Sequence, residues 1–217
     1  ARHVLASLIK EVATLERSAD ATAAWLAKCA AWEQHYAFDY DHDESTLAPQ
    51  FVIEEIDRVT ASDAVVVTDV GQHQMWATQY YHYQWPRQFI SSGGLGTMGF
   101  GLPAAIGAKI GRPDKTVIDI SGDGGFQMTM QELMTAVCHD VPIVVAILNN
   151  GYLGMVRQWQ DLFWNKRYSC TCIAAQPNFA KLADAFGALG LTVSAPGDVE
   201  EALRTAIAAQ RPAVIDF

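Results

Sequence analysis

Hydrophobic and polar positions follow two different periods along most of the chain. From Pro49 onward, short runs of aliphatic and β-branched residues predict strands, and apolar residues at helical spacing predict helices. The predicted strands are Ala64–Thr68, Phe89–Ser91, Thr116–Ile120, Pro142–Leu148, Leu189–Ser194 and Ala213–Phe217. The predicted helices lie near residues 48–60, 72–82, 100–110, 127–138, 152–163, 178–187 and 198–209. This alternation of strand and helix is typical of an α/β domain.

Several predicted strands are apolar on both faces. The segments VVVTD (65–69), TVIDI (116–120) and IVVAIL (143–148) have too few polar positions for a sheet with one face in water. Because such strands must be covered on both sides, we predict a doubly wound, mostly parallel six-stranded sheet flanked by helices. Ligands bind at the carboxyl ends of the strands in such sheets, so functional residues are expected in the loops that follow them.

The first part of the chain has a pattern of its own. Residues 1–36 carry helical spacing and lead into an acidic, turn-prone stretch at 39–45. We interpret residues 1–46 as the remnant of a preceding domain with a linker, and residues 47–217 as the α/β domain. The sequence begins without Met and its last predicted strand stops at the final residue, so we expect a piece of a longer protein.

Composition and charge exclude several classes of function. Half of the 217 residues are hydrophobic, and the formal charge of -9 argues against a general affinity for nucleic acid. The apolar run Val141–Leu148 is too short to cross a bilayer, and the first residues do not resemble a signal peptide, so an intracellular protein is expected. Cys170 and Cys172 lack the spacing of a structural zinc site and are read as free cysteines.

Two polar motifs follow neighbouring predicted strands. Gly122-Asp123-Gly124-Gly125 comes directly after one strand, and Asn149-Asn150 ends the next. If these strands are adjacent and parallel, Asp123 and Asn150 converge at one edge of the sheet. Carboxylate and amide oxygens suit Mg²⁺, which a diphosphate would complete. Each motif alone could be a turn or a strand terminator. Together they resemble the GDG…NN motif of thiamine diphosphate enzymes.

The glycines of the first motif fit a phosphate site. Gly124 and Gly125 allow close approach of the backbone to an anion, and a helix beginning near Gln127 would direct its N–H groups toward it. A competing pattern is Gly94-Leu95-Gly96-Thr97-Met98-Gly99, which satisfies the dinucleotide fingerprint GxGxxG. Its acidic partner would be Asp119, but this residue lies inside a predicted strand rather than at its end, which argues against the dinucleotide reading.

Four longer blocks extend the resemblance. Nearly all of residues 48–217 are similar to the biosynthetic acetohydroxyacid (acetolactate) synthases, and the pattern GMVRQWQ-x-LF-x5-Y is characteristic of that family. One departure is GDGGF where some members have GDASF, which should be tolerated where only backbone donors are needed. The blocks are DVGQHQMWATQYY (69–81), SSGGLGTMGFGLPAAIGAKIGRP (91–113), IDISGDGGFQMTMQELMTAV (118–137) and LNNGYLGMVRQWQDLFWNKRYS (148–169).

The resemblance implies a set of roles. Asp123 and Asn150 would bind Mg²⁺ through their side chains and Tyr152 through its carbonyl. Gln72 and His73 would contact the diphosphate. The remaining residues implied to bind the cofactor are Gly71, Gly96, Met98, Gly122, Gly124, Gly125, Leu153, Gly154 and Met155. Trp159 would line the substrate channel. As single residues, His73, Met98, Met155 and Trp159 are also compatible with ordinary structural roles.

The resemblance also implies a reaction and its partners. The parent enzyme would decarboxylate pyruvate and join the product to a second 2-ketoacid, for branched-chain amino-acid synthesis. The glutamate that activates the cofactor would come from the N-terminal domain of a partner subunit, so no catalytic residue is expected in this chain, which we expect to be inactive alone. FAD would belong to the full-length parent. A homo-oligomer, a regulatory small subunit and a cytoplasmic or organellar location are further expectations. A non-catalytic binding module or one subunit of a split enzyme remains the alternative.

Overall fold

The computed structural model describes residues 1–15, 19–43 and 46–217 and divides the chain into two compact units, Ala1–Asp39 and Tyr40–Phe217. The first unit contains helices α1 (Arg2–Thr14) and α2 (Ala19–His35), both inside the stretch predicted to be helical. Of the predicted linker at 39–45, Glu44 and Ser45 lie outside the described residues. Within the described ranges, no helix combines the length and apolar character needed to cross a bilayer.

The second unit alternates helices and strands as predicted. Its strands are β1 (Val65–Thr68), β2 (Phe89–Ser91), β3 (Val117–Gly122), β4 (Val144–Leu148), β5 (Leu189–Thr192) and β6 (Ala213–Asp216). Its helices are α3 (Pro49–Thr60), α4 (Gln72–Tyr80), α5 (Gly101–Gly111), α6 (Asp123–Thr129), α7 (Leu133–Cys138), α8 (Gly154–Phe163), α9 (Phe179–Phe186) and α10 (Val199–Ala208). Each predicted strand is present, with ends that differ by at most a few residues.

All the pairings in the sheet are parallel, and its strand order is β2-β1-β3-β4-β6-β5. The predicted parallel α/β fold is therefore confirmed. After β1 the chain forms β2 at the edge of the sheet, and it then crosses back to form β3 on the other side of β1. The loops after β1 and β3 consequently diverge at the carboxyl edge, which is where open α/β sheets bind ligands.

Two hydrophobic layers cover the sheet. One contains Ile53 and Ile56 of α3 and Leu203 of α10, packed against alternate residues of the strands. The other contains Leu102 of α5 and Phe179 of α9 on the opposite face. The double cover explains why β1 and β4 are buried along their full lengths.

One predicted boundary was wrong. Helix α6 begins at Asp123 rather than near Gln127, and the predicted helix 127–138 is divided into α6, a short 3-10 turn and α7. Strand β3 runs on to Gly122 because it pairs with β4 up to that residue. An acidic residue is favourable in the first turn of a helix, so Asp123 can open α6 immediately afterwards. Gly124 and Gly125 therefore lie inside the first turn.

Asp119 is a buried acid in the middle of β3. Its Oδ2 accepts a hydrogen bond of 2.8 Å from the Ser121 hydroxyl, and its Oδ1 has no partner. Burial raises the pKa of Asp119 well above the ordinary value, with a smaller contribution from the negative charge of Asp69. Asp119 is therefore neutral inside the folded protein over a range of pH where it is ionised in the unfolded chain.

Two glycines of helix α5 provide a matched test of packing. A Cβ at Gly101 would lie 2.4 Å from Asp119 Oδ1, whereas a Cβ at Gly107 would meet nothing within 4 Å. We expect Gly107→Ala to raise the free energy of unfolding by about 0.5–1 kcal/mol, because alanine is the better helix former. Gly101→Ala should lower it. Urea denaturation of both variants measures the difference, and equal stability of the two would contradict the close approach.

The raised pKa of Asp119 predicts a pH dependence of stability. The folded state keeps a proton that the unfolded state has lost, so this group makes the protein less stable as pH rises above the unfolded pKa. Asp119→Asn removes that effect and should stabilise the protein more at pH 8 than at pH 4, measured by urea denaturation. The control is Asp114→Asn. Arg112 lowers the pKa of exposed Asp114, so this substitution should change stability in the opposite direction, with a greater loss at pH 8 than at pH 4. A gain from Asp119→Asn that does not grow with pH would refute the prediction.

Candidate cofactor site

A cleft opens at the carboxyl edge of the sheet, where the loops after β1, β3 and β4 meet. Its cavity volume is about 50 Å³, within about 450 Å³ of empty space that includes open solvent. Its wall is formed by Val70, Gly71, Gln72, His73, Trp76, Met98, Gly122, Asp123, Gly124, Gly125, Leu148, Asn150, Tyr152, Leu153, Gly154, Met155 and Val156. Four segments that are far apart in the sequence therefore share one site: residues 70–76, Met98, residues 122–125 and residues 148–156.

The loop after β1 contributes a buried histidine. His73, in the first turn of α4, is buried and its Nε2 forms a hydrogen bond with Oδ1 of Asp69. Asp69 Oδ2 accepts a second hydrogen bond, of 2.9 Å, from the backbone N–H of Gly99. The carboxylate thus joins the end of β1 to the segment that precedes α5, which carries Met98 to the cleft.

The loop after β3 packs closely against side chains of neighbouring segments. A Cβ at Gly125 would lie 1.7 Å from Asp69 Oδ2, and one at Gly124 would lie 2.8 Å from a methyl group of Leu153. Both distances are shorter than real contacts allow. Positions 124 and 125 at the start of α6 therefore carry no side chain. In this turn the Asp123 carboxylate accepts hydrogen bonds from the backbone N–H groups of Asp123 and Gly124, which oppose the effect of burial on its pKa.

Asp123 and Asn150 come from adjacent strands, as predicted, and are linked through the loop after β4. Asp123 Oδ2 accepts a 3.0 Å hydrogen bond from the N–H of Gly151, and Asn150 Oδ1 accepts one of 2.9 Å from the N–H of Tyr152. Asp123 is only 1% exposed, and burial raises its pKa, with a smaller contribution from the charge of Asp216. A cation bound here would oppose that shift by favouring the ionised carboxylate.

A metal at this position would need mixed oxygen ligands. Among the described residues, no three His, Cys, Asp or Glu side chains converge in a way that could hold an ion. The residues that line the cleft carry the oxygens of the Asp123 carboxylate, the Gln72 and Asn150 amides and the Tyr152 hydroxyl, besides backbone carbonyls. Such a hard-oxygen set fits Mg²⁺ completed by phosphate and water, and it does not fit a structural zinc ion.

Two of the predicted site residues lie away from the cleft. Gly96 sits in an exposed turn after β2, with φ +66°, and Trp159 is 55% exposed on α8. The other residues predicted to bind the cofactor line the cleft. Sequence reasoning missed Val70, Trp76, Leu148 and Val156 as lining residues, and Asp69 as the partner of His73. The sequence signal for the Asp69–His73 pair was its spacing of four residues.

The segment after α8 folds back onto the loop that carries Tyr152. This return segment, residues 164–173, forms an antiparallel bridge between Cys172 and Tyr152. The N–H of Leu153 donates to the Thr171 carbonyl at 2.8 Å, and the N–H of Ile173 donates to the Gly151 carbonyl at 2.8 Å. The backbone around Tyr152 is therefore held from outside the sheet.

Arg157 adds a side-chain clamp to the return segment. Its guanidinium carbon lies 4.2 Å from the centre of the Tyr152 ring and 4.1 Å from that of Tyr168. The cation is thus stacked between one ring on the cofactor loop and one on the return segment. Each such contact contributes about 0.5–1 kcal/mol when partly exposed.

Comparison with known proteins identifies the class. Residues 69–217 match the family described as thiamine pyrophosphate enzyme, C-terminal TPP binding domain, and the chain belongs to that family. The dinucleotide-binding alternative is not supported, because Asp119 is buried within β3 and cannot reach a ribose at the edge of the sheet.

The particular relatives are acetolactate synthases. The chain is 46% identical over 183 residues to the isozyme 3 large subunit of Escherichia coli (84% of this chain, 32% of that protein). It is 50% identical over 188 residues to the synthase of Mycobacterium leprae (84% and 30%). It is 44% identical over 223 residues to the large subunit of Corynebacterium glutamicum (100% and 36%). The chain spans about a third of the length of these relatives, and it resembles their C-terminal thiamine pyrophosphate-binding part.

Arg157 provides a test of the clamp. Arg157→Ala removes both stacking contacts and should speed amide hydrogen exchange of Leu153 and Ile173 about 5-fold, the equivalent of about 1 kcal/mol. Arg157→Lys keeps a cation and should speed exchange at these two amides less than Arg157→Ala does. The amide of Ala188, bonded to the Ala183 carbonyl at the end of α9, serves as the internal control. Unchanged exchange at Leu153 and Ile173 in Arg157→Ala would mean that the clamp does not hold the loop.

Proposed function

We propose that this chain is the part of an acetolactate synthase that holds thiamine diphosphate and Mg²⁺. The complete enzyme would decarboxylate pyruvate and join the resulting two-carbon unit to a second 2-ketoacid, a step of branched-chain amino-acid synthesis. The family match and the synthase relatives support this assignment. The substrates, the metal and the pathway belong to the proposal.

The charge of the cleft is the observation that carries the proposal. Of the residues that line it in the described part of the chain, none is Lys or Arg, and Asp123 contributes an acid. A diphosphate entering this site would meet an anionic carboxylate, and no lysine or arginine among these lining residues offsets it. A divalent cation between Asp123 and the diphosphate removes the conflict, because it attracts both.

The residues present fit such an ion and its ligand. Asp123 and Asn150 would supply side-chain oxygens to Mg²⁺, and Tyr152 its backbone carbonyl. The diphosphate would be held by Gln72, His73 and the N–H groups of Gly124 and Gly125 at the start of α6. Met98 reaches the same cleft within 3.6 Å of the position of a Cβ at Gly124, so it is placed to support the organic part of the cofactor from below.

The chain's own contribution to the reaction is orientation and charge. When bound, thiamine diphosphate supplies the carbon nucleophile and the electron sink. Gln72, His73 and the start of α6 would hold the diphosphate end, and Leu153 and Met155 would offer apolar surface to the rest of the cofactor. Gly96 and Trp159, which lie outside the cleft, would act only in the complete protein, Trp159 at the substrate channel.

The activating carboxylate would come from elsewhere. No Glu lines the cleft in the described part of the chain. We propose that a partner subunit supplies it, so the catalytic subunit works as a homo-oligomer inside the cell and this chain alone does not turn over. FAD and a regulatory small subunit would join the full-length protein. Steady acetolactate formation by the 217-residue chain alone would contradict this part of the proposal.

The same observation favours one alternative. A cleft that binds the cofactor without an activating acid also suits a non-catalytic module or one subunit of a split enzyme. Purification of the natural protein distinguishes these functions. A second polypeptide that carries the missing glutamate and restores activity would indicate a split enzyme, and a single long polypeptide that is active would support the synthase.

The first experiment is calorimetric titration of thiamine diphosphate with and without Mg²⁺. We expect binding that requires Mg²⁺ and weakens at least about 100-fold in Asp123→Ala, because the variant removes the one anionic ligand of the ion. Asp114→Ala, which removes an exposed acid far from the cleft, should bind as the unchanged protein does. The titrations use the 217-residue chain and the longest natural polypeptide that contains it. Metal-independent binding, or equal binding by Asp123→Ala, would refute the metal role.

A further inference from the structure

We infer that a second cavity, beside the cofactor cleft, is a binding site for the carboxylate of a small organic acid, and that Arg157 binds this carboxylate. This side cavity has a volume of about 480 Å³ and is open to solvent. Its wall includes Arg157, Gln158, Asp161 and Leu162 of α8 and Tyr168 of the return segment. The inference goes beyond the proposed function, because neither thiamine diphosphate nor Mg²⁺ takes part in it.

The side cavity shares a wall with the cofactor cleft. The residues that border both spaces are Gln72, Asn150, Tyr152 and Gly154. A hydrogen bond of 3.0 Å from Gln72 Nε2 to Gln158 Oε1 ties this wall to α8. Among the described residues that line either space, Arg157 is the only lysine or arginine. A permanent cation, absent from the lining of the cofactor cleft, therefore lies directly beside it.

The N–H groups of the Arg157 side chain are available to a ligand. The side chain is half-buried, and among the described residues its guanidinium forms no hydrogen bond and no ion pair. A guanidinium is always charged and carries five N–H donors. Partial burial removes some of the water that would otherwise bind these donors, so a bound anion relieves a cost that the folded protein bears.

Two aromatic rings determine how these donors are presented. The guanidinium carbon of Arg157 lies 4.2 Å from the centre of the Tyr152 ring and 4.1 Å from that of Tyr168. Because the rings stack on the planar group, its edge, along which the N–H bonds point, remains open. Two coplanar oxygens match two parallel N–H donors on that edge, which is the geometry of a bidentate arginine–carboxylate pair. The stacked side chain is also held in place, so less conformational entropy is lost on binding.

The acid in the side cavity is not paired with the arginine. Asp161 follows Arg157 by one turn of α8, a spacing at which the two side chains could pair. Its Oδ1 instead accepts a hydrogen bond from the Tyr168 hydroxyl and lies 4.0 Å from Lys166 Nζ. The negative charge of Asp161 repels a doubly charged ligand more than a singly charged one. The cavity therefore favours a carboxylate over a phosphate dianion.

The rest of the lining suits the remainder of a small organic acid. Gln158 uses its Oε1 to accept from Gln72, so its amide N–H groups can donate to a ligand oxygen. Leu162 is 62% exposed, and a short apolar chain bound against it would cover surface that water now contacts. A short aliphatic chain with one carboxylate combines these features, and propionate is the simplest probe.

The first test measures propionate binding by ligand-observed NMR, with the 217-residue chain and with the longest natural polypeptide that contains it. We expect Arg157→Gln to weaken binding at least about 10-fold, because it removes a charged, bidentate donor. Arg157→Lys keeps the charge without the planar fork and should lie between the two. Arg87→Gln, at an exposed arginine at the amino edge of the sheet, is the matched control. Equal binding by Arg157→Gln, or no binding by the natural polypeptide, would overturn the inference.

The second test needs no variant that must fold. Propionate should shift the NMR signal of the Arg157 Nε–H in the 217-residue chain, and propionamide, which has nearly the same shape and no charge, should not. Phosphate should bind more weakly than propionate. An unchanged signal, equal shifts with propionamide or tighter binding of phosphate would overturn the inference. These titrations contain no thiamine diphosphate and no Mg²⁺, so their failure would leave the proposed function intact.

Discussion

The closeness of strands β1 and β3 at their carboxyl ends is the constraint on which the site depends. The end of β1 presents Asp69 directly against the first turn of α6, where a Cβ on residue 125 would lie 1.7 Å from Asp69 Oδ2 unless the carboxylate moved. Glycine at positions 124 and 125 relieves that crowding and leaves the start of α6 without side chains where it borders the cleft. The same carboxylate holds His73 and the segment that carries Met98. Packing and the proposed anion site therefore have one geometric cause.

Much of this architecture could be predicted from the sequence. The apolar runs in β1, β3 and β4 identified strands covered on both faces, and the position of Asp123 after β3 placed the chemistry at the carboxyl edge. The order of β5 and β6 in the sheet could not be read in the same way, because periodicity reports which face is buried and not which strand is the neighbour. The start of α6 was misplaced for a related reason. Glycines signal a turn locally, whereas here tertiary packing places them in a helix.

The features that escaped prediction depend on contacts between side chains distant in sequence or outside regular elements. The role of Asp69 was missed because it consists of contacts with His73 and Gly125. The pattern of hydrophobic positions does not report such contacts. The return segment was missed because residues 164–173 have no regular period. Trp159 presents the opposite problem. Its helical stripe predicts burial or a functional surface, and in this unit the side chain is largely exposed.

The division of the cleft among three loops has a consequence for folding. His73, Asp123 and Asn150 are separated in sequence by intervening helices and strands, and they meet only when β1, β3 and β4 are paired in register. A partly folded species with one of these strands unpaired does not bring all three residues together. A ligand that binds only the native arrangement stabilises it by mass action. Occupancy of the cleft is therefore a readout of completed sheet assembly, and cofactor supply during synthesis should favour maturation of the protein.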